Sequence, residues 1–160
     1  SGETAAGRYP VQAVQAMAKI AKTAEESINY RKRFYNVEFE IRNHVDAISH
    51  STCGMAIDIG AKAMAICSRS GMTARMVSRF RAPTDIIGMT TTETAWRKLS
   101  LSWGVIPALA EEFPSTAVLF YHAKNYAKRE LRLNRGDTIV ITGGVTGKSG
   151  TTNLIKVETI

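Results

Sequence analysis

From position 45 onward, short apolar runs rich in β-branched residues alternate with longer segments of helical period, and this alternation leaves few folds open. The runs are AMAIC at 63–67, DIIGM at 85–89, VIPAL at 105–109 and DTIVIT at 137–142, with a last alternating run, NLIKVETI, at 153–160. Between them, 46–62, 72–79, a stretch from 90 to about 101, and 115–133 place apolar residues at helical spacing. Strands separated by a helix are joined by right-handed crossovers, which predicts a parallel sheet covered on both faces. The last two runs have only a loop between them, so the final strand is expected to be antiparallel. The expected fold is an α/β class three-layer α/β/α sandwich on a five-stranded mixed sheet.

Smaller signals refine this expectation. Pro107 cannot donate to a strand ladder, so the third strand should be short or at an edge. TTTE at 90–93 fits a capping box with Thr90 as N-cap and Glu93 three residues on. Upstream, Pro10 opens a segment in which Val11, Val14, Met17, Ala18, Ala21 and Ile28 keep helical spacing, predicting a helix to about residue 27. NYRKRFY at 29–35 then reads as a basic, aromatic connector between two packing units.

Composition bounds the function. With 160 residues, 44% of them apolar, the chain suits one domain or one domain with an appendage. No apolar run approaches the roughly 20 residues that span a bilayer, and the first residues, SGETAAGRYP, lack signal-peptide character, so a cytoplasmic location without a membrane partner is expected. Cys53 and Cys67 have no metal-ligand spacing and lie in apolar segments, where a reduced buried thiol is expected. The formal charge of +7 raises nucleic acid as a partner. Its densest cluster, Lys124, Lys128, Arg129, Arg132 and Arg135, also suits a plain solvated helix stripe, and no nucleic-acid motif accompanies it, so no nucleic acid is expected.

GGVTGKSGTT at 143–152 resembles a nucleotide-hydrolase phosphate loop, but the required first glycine is replaced by Thr142, and a strand rather than a helix follows. Without a helix behind it, the loop has no helix dipole to offer a phosphate. SRSGMT at 68–73 has the better context, because it follows the first strand and opens a helix. There Ser68, Ser70 and Thr73 can donate hydroxyl hydrogen bonds, Gly71 lets backbone amides converge, and Arg69 adds charge. The same residues also suit an ordinary turn with Thr73 as N-cap. If the first and fourth strands run parallel, the second loop leaves the same sheet edge, and Gly144, Lys148, Ser149, Gly150 and Thr151 could close over an anion held by the first.

No catalytic or metal-binding constellation is legible. His44, His50 and His122 have no nucleophile beside them in sequence, and neither Asp58 nor Asp85 pairs with another carboxylate in a motif.

SGETAAGRYPVQAV at 1–14, SRSGMTARMVSRFRAPTDIIGMT at 68–90, WGVIP at 103–107, RGDTIVITGG at 135–144 and SGTTNLIKV at 149–157 together, in this order, resemble the C-terminal end of pyruvate kinase. The resemblance implies that 1–28 is the last loop and helix of a catalytic TIM barrel, 29–44 a linker, and 45–160 the C-terminal regulatory domain. It implies phosphoryl transfer from phosphoenolpyruvate to ADP, with Mg, K and ADP/ATP, only in the full-length enzyme. The barrel residues that hold substrate and metal fall upstream of position 1. The chain by itself is therefore expected to be inactive and to need no cofactor, with no catalytic role for Ser1 or Glu3.

In that family sugar phosphates or AMP bind between the two loops. Met72 stands where a basic residue is common, and Glu112 and Leu119 stand where relatives that bind fructose 1,6-bisphosphate carry Trp and Arg. The expected effector is thus a sugar monophosphate or AMP. The other expected partners are the catalytic barrel of the parent enzyme and further copies of this domain. A ligand-free assembly module and a free-standing phosphometabolite regulator are the alternatives.

Overall fold

A computed structural model describes residues 1–144 and 151–160. It contains α1 (Gly2–Ala6), α2 (Pro10–Glu26), α3 (Tyr30–Asn36), α4 (His44–Asp58), β1 (Ala63–Cys67), α5 (Met72–Arg79), β2 (Asp85–Thr90), α6 (Glu93–Leu99), β3 (Val105–Leu109), α7 (Thr116–Glu130), β4 (Thr138–Gly144) and β5 (Thr152–Thr159). The five strands form one sheet in the order β3-β2-β1-β4-β5. The β3-β2, β2-β1 and β1-β4 pairs are parallel, whereas β5 runs antiparallel to β4, as expected. Pro107 sits on β3, an outer strand of the sheet, where a missing amide costs least.

Alternation along the strands divides the interior into two cores. Met64, Ile66, Ile86 and Val140 face α4, α5 and α6, meeting Cys53, Ala56, Ile57, Ala74, Val77 and Leu99. Ala63, Ala65, Ile87, Ile139 and Ile141 face the other way, toward Phe120, Ala123 and Ala127 of α7. The small Ala63 and Ala65 opposite Ala123 and Ala127 let this long helix lie close to the sheet. Full burial of an Ile on either face is worth about 1.5–3 kcal/mol, so period-2 burial on two faces fixes the strand register. Gly88 is required by close approach: a Cβ there would come within 2.9 Å of Val105 Cγ1 and 3.1 Å of Leu99 Cδ1.

Several local readings of the sequence need correction. The 29–35 connector is largely the helix α3, capped by Asn29, whose side chain accepts from Lys32 N at 2.8 Å. Phe34 on this helix is buried in the first core and stacks on His50 at 4.7 Å between ring centres. Thr90 is not an N-cap: it ends β2, paired with Leu109, and its hydroxyl donates to Arg69 O at 2.6 Å. The cap is Thr92, whose hydroxyl accepts from Ala95 N at 3.3 Å, because pairing with β3 keeps Thr90 in the strand. Helix α4 stops at Asp58, before the left-handed Gly60, and α7 stops at Glu130, before the left-handed Arg132.

Helix α2 buries none of its residues. Val11, Val14 and Met17 are each more than half exposed along one stripe, and Ile20 is exposed to one side of it. The helix end is tied to the domain through Trp103, whose indole donates to Glu25 Oε1 at 3.2 Å and whose ring lies 5.8 Å from that of Tyr30. The Arg81 guanidinium covers the Trp103 ring at 4.9 Å.

Candidate functional site

The parallel strands β1, β2 and β3 all point their carboxyl ends to one edge of the sheet, and the 68–73 turn lies there between β1 and α5. Residues 68–73 are folded by their own hydrogen bonds. Ser68 N donates to Met89 O at 2.9 Å, anchoring the turn to β2, and Gly71 N donates to Ser68 O at 3.0 Å. Thr73 N donates to Ser68 Oγ at 3.3 Å. Gly71, with φ of +72°, is the N-cap of α5, so Thr73 stands inside the helix and is not its cap. A left-handed residue is needed to swing the chain from strand into helix here, and glycine takes that conformation without strain.

Thr73 instead reaches across to the C-terminal strand. Its buried hydroxyl lies 2.7 Å from that of Thr152, the first residue of β5. Thr142 Oγ1 adds a bond of 2.7 Å to Leu154 O, holding the start of β5 against the end of β4. Thr73, at the end of the first loop, and Thr152, at the end of the second, therefore meet at one edge of the sheet. Of the second loop, Gly144 pairs with Thr152 at the end of β4 and Thr151 adjoins it; Lys148, Ser149 and Gly150 lie outside the described residues.

Arg69 and Ser70 are exposed on the turn, while Ser68 is half-buried. The Arg69 guanidinium leans toward β3 and pairs with Glu112 Oε1 at 2.9 Å. Together they line an open groove of about 560 Å³, bounded also by Thr91, Thr92, Glu93, Leu109, Ala110 and Glu111. Sequence reasoning had found neither Thr152 nor this groove. The TT pair at 151–152 was a signal for the first, whereas the groove exists only once β2 and β3 are paired.

Groups that could do other chemistry are occupied in packing. Burial pushes the thiols of Cys53 and Cys67 from the usual 9.0 up to about 12, so both stay protonated. His50 is enclosed by Phe34, Phe39 and Phe80, and burial lowers its pKa. His122 stacks on Phe113 at 4.4 Å. Among the described residues no group of three or more His, Cys, Asp or Glu side chains is placed to hold a metal ion, and no helix is long and apolar enough to cross a membrane. In the basic cluster of α7, Lys124 pairs with Glu158 at 3.3 Å and Arg129 lies over the Tyr126 ring at 5.0 Å.

Residues 46–158 match the family model described as pyruvate kinase, alpha/beta domain. The chain is 41% identical to a pyruvate kinase of Clostridium acetobutylicum, over all of this chain and 34% of the relative. It is 40% identical to pyruvate kinases of Bacillus licheniformis and Staphylococcus aureus, again over its whole length and 28% of theirs. The chain thus spans about a third of the length of these relatives. The family model over most of the chain, and this identity over all of it, establish that the chain belongs to the pyruvate kinase family and corresponds to its C-terminal α/β domain.

Proposed function

We propose that this domain is the allosteric part of a pyruvate kinase, binding a phosphorylated effector between residues 68–73 and 143–152. The observation that carries the reading is the buried Thr73–Thr152 contact, which joins the serine-rich turn to the start of the last strand. A phosphate on the turn would draw on the Ser68 and Ser70 hydroxyls, the Arg69 guanidinium and the start of α5, whose dipole favours an anion. Because residues 143–152 join β4 to β5, a ligand held there would act on the outer part of the sheet. The parent reaction, phosphoryl transfer from phosphoenolpyruvate to ADP with Mg and K, belongs in this proposal to a catalytic barrel ending in α1 and α2. The exposed apolar stripe of α2 supports that assignment, since it is the face such a barrel would cover.

Calorimetric titration with a sugar monophosphate and with AMP tests the reading. Binding that is lost in Arg69→Ala supports it; no heat with either ligand rejects it.

A second reading, self-association through this domain, rests on β5. That strand ends the sheet with one edge unpaired among the described residues, and Leu154 and Val157 on it are exposed. Light scattering with and without phosphate ligands separates a ligand-free assembly module from an effector domain.

A further inference from the structure

We infer that Trp96 and Pro107 close the β3 edge of the sheet to strand addition, so that a partner strand can join the sheet at β5 and not at β3. The hazard lies in β3 itself, because VIPAL at 105–109 is an outer strand without a charged side chain. An uncharged apolar edge is a template for pairing with another chain. At the opposite edge of the sheet, β5 carries Lys156 and Glu158, charges that discourage indiscriminate pairing. The β3 edge has no such charges and is guarded in another way.

The register decides which backbone groups of β3 look outward. Gly104 O accepts from Ile86 N at 3.0 Å and Ala110 N donates to Thr90 O at 2.9 Å, with Ile86 beside Val105 and Thr90 beside Leu109. Alternation then turns the backbone groups of Ile106 and Ala108 toward β2, and those of Val105, Pro107 and Leu109 away from it. Val105 N already donates to Ser102 O at 3.3 Å. Pro107, the middle of the three, has no N–H, and its carbonyl accepts from Trp96 Nε1 at 3.3 Å. It therefore offers an incoming strand neither a donor nor an open acceptor. The indole is held in place by α6, whose Ala95 and Leu99 on either side of it in sequence are buried. Proline alone would remove the donor; Trp96 takes the acceptor as well.

The test is light scattering against protein concentration on the unaltered chain, on Trp96→Ala with Pro107→Val, and on that double variant with Leu109→Lys added. The double variant is expected to self-associate at concentrations about tenfold lower than the unaltered chain, the factor that one or two regained backbone hydrogen bonds supply. Leu109→Lys should abolish this gain, because a lysine on an edge strand opposes pairing. Unchanged association in a double variant whose β1 amides stay protected from exchange would overturn the inference. So would a gain that survives Leu109→Lys, since the pairing would then lie on another surface. If the double variant loses its β1 protection, Trp96→Phe with Pro107→Val, which keeps the ring and removes its donor, decides by the same two comparisons.

Discussion

The side-chain hydroxyls of Thr73 and Thr152 lie 2.7 Å apart in the interior, joining the first turn of α5 to the first residue of β5. Each is the other's partner, so removing one strands the other. Thr73→Val, which keeps the shape, should destabilise the domain by about 1–3 kcal/mol, and the double variant with Thr152→Val by less than the sum of the two single changes. Urea unfolding of the four proteins measures the coupling.

Gly71 should be intolerant of any side chain. Its φ of +72° disfavours an L-residue, and an added Cβ would lie 3.2 Å from Leu99 Cγ. Gly71→Ala is expected to cost about 1–2 kcal/mol from the backbone alone. A fall in the urea midpoint at unchanged m-value checks it, and Leu99→Ala would not restore the loss because the backbone strain remains.

Stability should fall at both ends of the pH range, for different buried groups. The cysteine thiols titrate near 9.0 when unfolded and near 12 when folded, so the fold binds more protons in that window and loses stability as pH rises through it. For His50 the sign reverses: burial lowers its pKa below the usual 6.5, so its contribution is complete above that value and is lost as pH falls through the folded pKa. Thermal unfolding across pH, repeated with Cys53→Ala and with His50→Phe, assigns the two limbs. Native thiols should also resist a disulfide reagent at pH 8 until denaturant is added.

The stripe on α2 should be energetically silent in this chain. Replacing Val14 and Met17 by Gln should change the stability of the sheet domain by no more than about 0.5 kcal/mol each, since neither is buried. Amide exchange in α2 should be fast compared with β1, whose five residues are all buried. Slow exchange along α2 in a monomer would contradict this.

The strands were legible because each is a run of apolar, often β-branched residues too short for a helix, and β1 was found with its bounds intact. Helix α3 was missed because its sequence, YRKRFYN, has no apolar period; one side chain, Phe34, enters the core, and that contact is made with residues far along the chain. The cap at Thr92 was misplaced by two residues because three threonines in a row offer the same hydroxyl, and only the Thr90–Leu109 pairing decides between them. The serine-rich turn was readable from local chemistry. The Arg69–Glu112 pair was not, since nothing in either segment announces that the ends of β1 and β3 lie close enough for these long side chains to meet.

The strand order also dictates a schedule. The central strand β1 acquires one neighbour, β2, from the segment made next, but its other neighbour is β4, so Ala63 must wait for Ile139. During synthesis the apolar residues of β1 are therefore flanked on one side by an unsatisfied backbone edge until β4 has left the ribosome, and that edge is a template for pairing with another nascent chain. A chain cut before β4 should aggregate instead of forming a smaller domain, and folding of the intact one should be slowed by this late, long-range closure.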